Sequence, residues 1–419
     1  MRFDTVIIGG GLAGLVCGLQ LQRAGQRTAV VSAGQSSLHF MSGAFGLLGS
    51  VQGREVQNPV QEVGHLPQGH PYRCLGGAFE RYADAAKGVL ESIGLRLYGD
   101  CRENHYRLSP IGRIMPSWLS MEELLPIAKA EDVVNRCVGV VTFAGFLDFP
   151  AALLGDSLRR QGAQVEELTL ELPSLEAARE SATEFRSVHV AREFTKESTI
   201  KELIGALTDR SRGVDWLLLP AVFGMGAGGE MLQRLRDSLQ CELGCVATLP
   251  PSVLGMRVDA ALKRGYTAAG GLLVENSVAE RAEMRGTRAE WLQTSSLGED
   301  RFYADAFVHA GGKFHSKGLQ SDRQGIREGL FGGDVAFDAA REEWHCSDFF
   351  ADHAFLHYGV QTDSDYRALV KGQVMQNVYV IGSLLGGCDS LAEGSGAGVA
   401  LLTALRVADI IAKGHGYGA

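Results

Sequence analysis

The first 34 residues constrain the fold of this chain more than any other segment. Thr5–Ile8 is a continuous run of β-branched residues, which predicts a strand buried on both faces of a parallel sheet. Gly9–Gly14 follows it, and apolar residues recur at helical spacing over Leu12–Leu21. Gly25 ends this predicted helix, and Thr28–Val31 predicts a second buried strand. Together they predict a complete β–α–β unit.

The glycines of this unit fit the G-x-G-x-x-G pattern of nucleotide-binding loops. Gly9 permits the tight turn, Gly11 lets a phosphate approach the backbone, and Gly14 lets the helix pack close to the strand. The helix N-terminus adds N–H donors and a partial positive charge. We therefore predict nucleotide contacts from six residues: Gly9, Gly10, Gly11, Leu12, Ala13 and Gly14. The alternative is a loop that keeps this fold but binds no nucleotide.

The end of the second predicted strand bears on which nucleotide is bound. Loops of this kind usually have an acidic residue there, which bonds the adenosine ribose hydroxyls. This chain has Ser32-Ala33-Gly34 instead. A serine hydroxyl is uncharged and cannot accept hydrogen bonds from both ribose hydroxyls as a carboxylate does. Either the adenosine half of a dinucleotide is held weakly, or the ligand is a mononucleotide. Ser32, Ala33 and Gly34 are included among the predicted cofactor contacts.

Two further strands run into glycine-rich loops in the C-terminal part of the chain. Val378–Gly382 predicts one buried strand, and Ala306–His309, followed by Ala310-Gly311-Gly312, predicts the other. Gly394–Gly398 precedes a segment with apolar residues at helical spacing, which resembles a second nucleotide-type turn. We predict cofactor contacts from these loops: Gly311, Gly382, Ser383, Gly394, Ser395 and Gly396. The alternative is that these glycines serve packing alone.

The composition excludes several functional classes. A formal net charge of −9 repels a phosphate backbone, so we expect no nucleic-acid partner. The eight cysteines include no Cys-x-x-Cys pair, so we expect reduced thiols and no metal site. No apolar run approaches the ~18 residues of a spanning helix. Asp4 interrupts any signal-peptide pattern at the start. We therefore expect a cytoplasmic chain without a transmembrane segment of its own.

The motifs together resemble the glutathione-reductase-like flavoprotein superfamily, within its fumarate reductase-like branch. Across the whole chain, Met1–Gly11, Ser42–Gly46 and Glu393–Gly396 resemble the family of B subunits of anaerobic glycerol-3-phosphate dehydrogenases. The resemblance implies an α/β fold. In it, a glutathione-reductase-like, Rossmann-type domain of the kind that binds FAD or NAD(P) carries an inserted cap or substrate domain.

This resemblance also implies a function and partners. The family's enzyme oxidises sn-glycerol 3-phosphate to dihydroxyacetone phosphate and passes electrons to membrane quinone under anaerobic conditions. The implied partners are a sister flavoprotein catalytic subunit and an iron–sulfur, membrane-anchoring subunit. They imply a peripheral position on the cytoplasmic side of the inner membrane. The implied cofactor is FMN, in agreement with Ser32, and FAD is the alternative.

The domain boundaries are predicted from where the glycine motifs fall. The flavin nucleotide-binding domain is expected to comprise residues 1–45, 250–335 and 370–419. The cap or substrate domain is expected to comprise residues 46–249, with 336–369 as a candidate addition. Within it, Glu80–Ile93 and Asp148–Gly162 predict helices, the second capped at its N-terminus, and Trp216–Pro220 predicts a buried strand.

Oxidation of an alcohol requires a base for the hydroxyl proton, and a substrate phosphate suits arginine. Arg257 and His39 are the catalytic candidates. His39 lies where the fumarate reductase-like branch has a histidine covalently bound to flavin, and the alternative is an ordinary loop histidine. Ser42 and Gly43 are candidates for backbone contacts near the flavin, with a simple turn as the alternative. His309 is expected to be a hydrogen-bonded core residue.

Three functions remain open at this point. The chain is a flavin-bearing dehydrogenase subunit, an electron-transfer or structural subunit without a substrate site, or a stand-alone FAD oxidase of a small amine or hydroxy acid. The superfamily usually has an acidic residue after the glycine of the C-terminal strand, where this chain has Ser383. The serines at positions 32 and 383 both argue against the oxidase.

Overall fold

The computed structural model describes residues 1–179, 185–226, 228–296, 298–338 and 340–415. The chain divides into two compact units. The first comprises residues 1–36, 46–94 and 261–419, and the second comprises residues 37–45 and 95–260. The helix Val253–Ala268 spans the boundary between them in sequence.

An eight-stranded sheet organises the described part of the first unit. Five of its strands are parallel to one another, in the spatial order Leu272–Val274, Thr28–Val31, Arg2–Ile8, Arg301–His309 and Gln373–Val380. Antiparallel strands extend the sheet, namely Ala279–Arg285, Arg288–Thr294 and Arg367–Val370. Two small hairpins lie outside it, Ser50–Val51 with Arg54–Glu55 and Leu319–Ser321 with Ile326–Glu328.

The helices of the first unit pack on this sheet and on one another. The α-helices are Leu12–Arg23, Pro59–Glu62, Phe79–Ser92, Ala354–His357 and Gly396–His415. The 3-10 helices are Val63–His65, Pro71–Ala78, Phe314–Ser316, Arg341–Trp344 and Gly382–Leu384. The first helix packs against the last, so the two ends of the chain share one core.

Small residues let the first helix lie close to its neighbours. A Cβ added to Gly14 would lie 1.9 Å from the carbonyl oxygen of Gly9. This oxygen belongs to the backbone, so it cannot move aside as a flexible side chain could. A Cβ added to Gly18 would lie 2.9 Å from the ring of Tyr266, whose hydroxyl bonds Thr28 at 2.9 Å. The predicted β–α–β unit is therefore present, and its glycines are positions of close approach.

Residues 46–94 lie in the first unit, although they were predicted to belong to the inserted domain. The Tyr82 hydroxyl donates to Asp409 at 2.9 Å, and the amide of Gly49 donates to the carbonyl of Glu393 at 2.7 Å. The partners of these two bonds are more than 300 residues apart in sequence, so no local pattern indicates them. Residues 336–369 lie in the first unit as well.

The second unit has its own sheet of four parallel strands among its described residues, in the order Gln164–Leu170, Cys137–Phe143, Trp216–Pro220 and Glu242–Val246. Smaller sheets pair Ala44–Phe45 and Leu97–Tyr98 with Leu119–Met121, and His105–Leu108 with Ile114–Ser117. Its helices are Ala151–Arg160, Pro173–Ala177, Ser187–Glu193, Glu197–Thr208 and Gly228–Ser238, with 3-10 turns at Ser37–Phe40 and Ala130–Val133.

All three elements predicted inside the inserted domain are present, and only the predicted helix cap is wrong. The helices Phe79–Ser92 and Ala151–Arg160 and the buried strand Trp216–Pro220 match their predictions. Asp148, however, does not cap the second helix. Its buried carboxylate accepts hydrogen bonds from the amide and the hydroxyl of Ser187, at 2.8 and 2.9 Å. A distant partner therefore replaced the local capping bond that the sequence suggested.

Across the described ranges, none of the helices has both the length and the apolar character that a membrane span requires. The α/β fold class, a Rossmann-type parallel sheet with an inserted second unit, is confirmed.

Candidate functional site

The five parallel strands of the first unit end at a common edge. The paired residues there run across the sheet in the order Val274, Val31, Ile8, His309 and Val380. The chain leaves the first strand toward one side of the sheet and later returns on the other, so the order reverses at Arg2–Ile8. Ligands of open α/β sheets bind at such a switch point, outside the carboxyl ends of the strands. The candidate site is this edge.

The glycine loop, residues Gly9–Gly14, occupies the centre of that edge. A Cβ on Gly9 would lie 2.3 Å from the carbonyl oxygen of Ala310, and Gly9 also has φ +113°. A Cβ on Gly10 would lie 2.6 Å from the side chain of Ser32. Gly11 differs, because an added Cβ would meet no described atom within 4 Å. Packing explains the other glycines, whereas Gly11 leaves open space over the backbone, as a bound phosphate requires.

The helix that begins at Leu12 is suited to an anion. Gly11 is its N-cap, no side chain caps it, and its first turn has no acidic residue. The first four amides of a helix have no partner within the helix, and they carry the positive end of its dipole. The residues present therefore fit the phosphate of a nucleotide, which would accept hydrogen bonds from the amides near Ala13.

Ser32 lies beside the glycine loop at the end of its strand and is buried. Its amide donates to the carbonyl of Val274 at 2.8 Å, and its hydroxyl donates to the carbonyl of Gly34 at 3.0 Å. The side chain thus serves the turn that follows the strand and packs against Gly10. Ala33, the next residue, is exposed. The position offers no carboxylate for an adenosine ribose.

The loop after Arg301–His309 is fixed by a buried histidine. His309 Nδ1 accepts from the amide of Gly311 at 3.3 Å, and its Nε2 lies 3.2 Å from Glu328. Burial alone would raise the pKa of Glu328. The His309 ring and the amides of Leu330 and Gly333 outweigh burial and lower that pKa to about 2. His309 is the hydrogen-bonded core residue that the sequence predicted, and its ring orients Gly311.

The loop after Gln373–Val380 meets the glycine loop. A Cβ on Gly382 would lie 3.0 Å from the Cβ of Ala13, and Gly382 has φ +69°. Its amide donates to the hydroxyl of Thr403 at 3.0 Å. The hydroxyl of Ser383 is 3.6 Å from where a Cβ of Gly312 would be. The structure thus brings the predicted contacts at Gly311, Gly382 and Ser383 together with the glycine loop.

The C-terminal glycine loop, Gly394–Gly396, is held by Glu393 and by a buried residue that no sequence pattern indicated, His70. His70 is fully buried, and its Nε2 lies 3.1 Å from Glu393. Nδ1 of the same ring accepts from the amide of Tyr72 at 3.0 Å, so Nε2 is the nitrogen that donates to the carboxylate. The hydroxyl of Ser395 also donates to Glu393, at 2.8 Å. Gly394 has φ +61°, so the loop turns where this carboxylate is clamped.

A lysine side chain extends along the same region. The ammonium of Lys313 donates to the backbone carbonyls of Leu356 and Cys388. Burial lowers the pKa of Lys313, while Cys388, Asp389 and Glu393 act in the opposite direction. Lys313 therefore places a half-buried cation among loops that lead to Gly394. Lys313 directly follows Gly311-Gly312 in the sequence, and this position is the feature from which its place near the site could have been predicted.

Four predicted site residues belong to the second unit instead: His39, Ser42, Gly43 and Arg257. Gly43 has φ +85°, and a Cβ there would lie 2.6 Å from the side chain of Leu254. The Gly43 carbonyl accepts from the amide of Met121 at 2.9 Å. These contacts place Gly43 in a packed turn of that unit.

Both catalytic candidates are paired with carboxylates of the second unit. Arg257 bonds Glu123, and both side chains are largely buried. Burial raises the pKa of Glu123, and Arg257 opposes that rise. The other carboxylate oxygen of Glu123 is buried with no hydrogen-bond partner among the described residues. His39 Nε2 lies 3.3 Å from Asp259, an arrangement that holds the ring in the 3-10 turn Ser37–Phe40.

A family described as an FAD binding domain matches residues 4–399 of the chain. With the glycine loop at the carboxyl edge of the sheet, this defines a flavoprotein of the glutathione-reductase-like class, with an FAD-type flavin as the class of cofactor. The B subunit of anaerobic glycerol-3-phosphate dehydrogenase from Yersinia enterocolitica is 37% identical over 418 residues, which cover 98% of each protein. Its counterpart from Pectobacterium atrosepticum is 34% identical and covers 99% of each. The chain belongs to the family of anaerobic glycerol-3-phosphate dehydrogenase B subunits, as the sequence resemblance indicated.

Among solved structures, the 3-ketosteroid delta1-dehydrogenase from Sterolibacterium denitrificans has 13% identity and a TM-score of 0.44, covering 99% of this chain and 100% of that one.

Proposed function

We propose that this chain is a flavin-bearing subunit of a respiratory glycerol-3-phosphate dehydrogenase. It contributes to the oxidation of sn-glycerol 3-phosphate to dihydroxyacetone phosphate, with electrons passed to membrane quinone under anaerobic conditions. The observation that carries the proposal is the open face of Gly11 at an uncapped helix N-terminus. The proposed substrate, glycerol 3-phosphate, is inferred from membership of the B-subunit family.

The proposed cofactor is FMN, with FAD as the alternative. The amides of Gly11, Leu12 and Ala13 would hold its phosphate. The loops at Gly311, Gly382 and Gly394 would supply the remaining flavin contacts. When bound, the flavin supplies the acceptor for a hydride from the substrate carbon. Ser32 supports FMN because its hydroxyl is already bonded to Gly34 and carries no charge.

The second unit is proposed as the substrate cap. Arg257 would bind the substrate phosphate, and His39 would take the hydroxyl proton. The proposed partners are a sister flavoprotein catalytic subunit and an iron–sulfur, membrane-anchoring subunit, since the relatives are named as subunits of one enzyme. The complex would lie peripherally on the cytoplasmic side of the inner membrane through those partners.

A specific observation favours a second candidate, an electron-transfer subunit without a substrate site. Arg257 and His39 are each already engaged by a carboxylate, Glu123 and Asp259 respectively. A guanidinium neutralised in this way attracts a phosphate less strongly than an unpaired one. In this alternative the sister subunit oxidises the substrate, and this chain relays the electrons.

Anaerobic titration of the purified, flavin-loaded chain with glycerol 3-phosphate separates the two candidates. We expect the flavin absorbance near its visible maximum to bleach, with dihydroxyacetone phosphate formed in equal amount. Dithionite serves as the control that the flavin is reducible. A flavin that dithionite reduces but glycerol 3-phosphate leaves oxidised would reject substrate oxidation by this chain and support the relay.

A further inference from the structure

A loop of the first unit, residues 345–353, presents two adjacent phenylalanines to solvent. Phe349 is 82% exposed and Phe350 is 92% exposed. Burial of such a side chain stabilises a protein by about 1.5–3 kcal/mol, so two exposed neighbours forgo a large contribution. Single exposed apolar residues are ordinary, whereas a contiguous exposed patch marks an interaction site.

The loop holds these rings outward through its own hydrogen bonds. The amide of Phe350 donates to Asp348 Oδ1 at 3.0 Å, and His353 Nε2 lies 3.1 Å from the carbonyl of Phe349. Nδ1 of His353 accepts from the amide of Cys346 at 3.0 Å. The two phenylalanine rings pack edge to face, with centroids 5.2 Å apart. The exposure of the pair is therefore built into an ordered turn.

A third exposed apolar side chain lies on a neighbouring loop. Leu391 is 81% exposed, and its amide donates to Asp389 at 2.9 Å. The polar side-chain atoms of Asp389, His357 and Asp352 lie within 4.8 Å of one another, which brings the two loops together. We define the apolar patch as Phe349, Phe350 and Leu391. Its second loop leads directly into Gly394–Gly396, which are predicted flavin contacts.

The charges around the patch indicate what covers it. Residues 341–357 contain four carboxylates, at Glu342, Glu343, Asp348 and Asp352, against one arginine. An anionic membrane surface would repel this rim, whereas a polypeptide with basic residues around an apolar pocket would be attracted to it. A protein partner is therefore favoured over a lipid surface.

We propose that the apolar patch is the docking surface for the redox partner subunit that exchanges electrons with this chain's flavin. The partner presents an apolar pocket for Phe349 and Phe350, rimmed by lysine or arginine. The two phenylalanines bury about 300–500 Å² when covered, a substantial part of the roughly 800 Å² that each side of a standard interface contributes. A few such anchors carry most of the energy of an interface. The role of the partner rests on the proposed function.

The test uses the three-subunit enzyme, coexpressed with an affinity tag on this chain. In one variant, Phe349→Ser is combined with Phe350→Ser. The matched control is Leu147→Ser, because Leu147 is 66% exposed but lies in the second unit. We expect the double variant to retain its flavin and its circular dichroism while the recovered partner subunits fall at least tenfold. Full recovery of the partner subunits with the double variant would overturn the proposal.

A second measurement needs no substitution and is independent of folding defects. Cys346 is the one exposed cysteine of the eight, all of which the structure describes. We expect iodoacetamide to alkylate Cys346 at least tenfold more slowly in the assembled enzyme than in the chain alone. Cys137, half-buried in the second unit, serves as the internal reference. An unchanged rate at Cys346 would show that the patch stays open in the complex.

Two other occupants are distinguished in the same series. If the double variant keeps its partner subunits but loses binding to phosphatidylcholine–phosphatidylglycerol vesicles, or loses self-association in sedimentation, the proposal is wrong and the patch contacts lipid or a second copy. Failure of the proposed function has a different signature. A wild-type complex that assembles without flavin in this chain would reject that function. The recovery of the partner subunits could still be compared between the variants.

Discussion

Gly10 and Ser32 lie side by side at the edge of the sheet, so closely that a Cβ on Gly10 would be 2.6 Å from the serine hydroxyl oxygen. The position from which a carboxylate would reach an adenosine ribose is instead occupied by a small, uncharged side chain, which bonds Gly34 at 3.0 Å. Gly10 in the loop and Ser32 at the strand end are therefore neighbours in space, and both help to determine which flavin is bound.

The released cofactor is expected to be FMN. Heat denaturation of the purified chain and chromatography of the supernatant identify the flavin, and complete release also argues against a covalent bond to His39. The variant Ser32→Asp is expected to raise the affinity for FAD relative to FMN at least about tenfold, since a hydrogen bond to a charged group contributes about 1.5–3 kcal/mol. Ala33→Asp is the control, because that side chain is exposed. Release of FAD from the wild-type chain would contradict this prediction.

Gly11→Asp is expected to weaken flavin binding strongly without unfolding the chain. Aspartate is a favourable N-cap and complements the helix dipole, so the helix Leu12–Arg23 is retained. Its carboxylate would occupy the open space over Gly11 and repel the nucleotide phosphate. We expect at least a hundredfold weaker FMN binding, measured by quenching of FMN fluorescence, and an unchanged melting temperature of the apoprotein.

The control for that substitution is Gly64→Asp, which adds the same charge at an exposed position of the first unit with open space around it. It is expected to bind FMN like the wild-type chain. Equal affinity in Gly11→Asp and Gly64→Asp would mean that no phosphate lies against the glycine loop.

His70→Ala is expected to lower the free energy of unfolding by about 3 kcal/mol, because it empties a fully buried position and leaves the half-buried Glu393 carboxylate without its ring partner. The matched control is His65→Ala. His65 also pairs with a glutamate, Glu62, at 3.0 Å, but this pair is exposed and is expected to contribute less than about 1 kcal/mol. Urea unfolding of both apoproteins tests the difference. Similar losses in the two variants would indicate that His70 does not clamp the C-terminal glycine loop.

The stability contributed by Glu328 is expected to depend on pH. Its pKa is lowered from 4.5 to about 2 in the folded chain. A carboxylate with a lowered pKa contributes fully above the unfolded value, near pH 4.5, and its contribution is lost as the pH falls toward 2. The shift corresponds to about 3 kcal/mol. We expect Glu328→Gln to lose about this much at pH 7 and to narrow its deficit below pH 4.5.

Chemical denaturation at pH 7, 5 and 4 measures that dependence. Glu62→Gln, which alters an exposed carboxylate, is the control and is expected to change stability by less than about 0.5 kcal/mol. A Glu328→Gln deficit that is the same at every pH would show that the charge of Glu328 is not what stabilises the loop.

Arg257 is expected to act on the substrate as well as on Glu123. Arg257→Met alone leaves Glu123 buried without its cation, which destabilises the second unit. Combining it with Glu123→Leu replaces the pair by apolar side chains, which is often neutral for stability. We expect the combined variant to fold normally yet to reduce flavin at least a hundredfold more slowly with glycerol 3-phosphate. A normal rate in that variant would assign Arg257 a structural role only.

The strands and the glycine loop were predictable because their signals are local. The run Thr5–Ile8, the spacing of Gly9, Gly11 and Gly14, and the buried run ending at His309 each specify backbone geometry within a few residues. The convergence of their loops also followed, since parallel strands share a carboxyl edge. The choice between FMN and FAD rested on one residue, the serine at position 32 in place of an acidic side chain.

The supporting residues were not predictable in the same way. His70 and Glu393 are 323 residues apart in sequence. Glu393 opens the recognised segment Glu393–Gly396, but His70 lies in no recognisable pattern of its own. The assignment of residues 46–94 to the first unit depends on contacts with the C-terminal helix, such as Tyr82 with Asp409. Asp148 lies where it could cap the helix that follows, but its carboxylate accepts a hydrogen bond from the amide of Ser187 instead. Tertiary partners of this kind override local preference.

Titration of the purified, flavin-stripped wild-type chain with FMN is the decisive measurement. If the amides exposed at Gly11 hold a nucleotide phosphate, the chain takes up one flavin per polypeptide, turns yellow and quenches the flavin fluorescence. A correctly folded chain that stays colourless in excess FMN and in excess FAD would contradict the proposed flavin site.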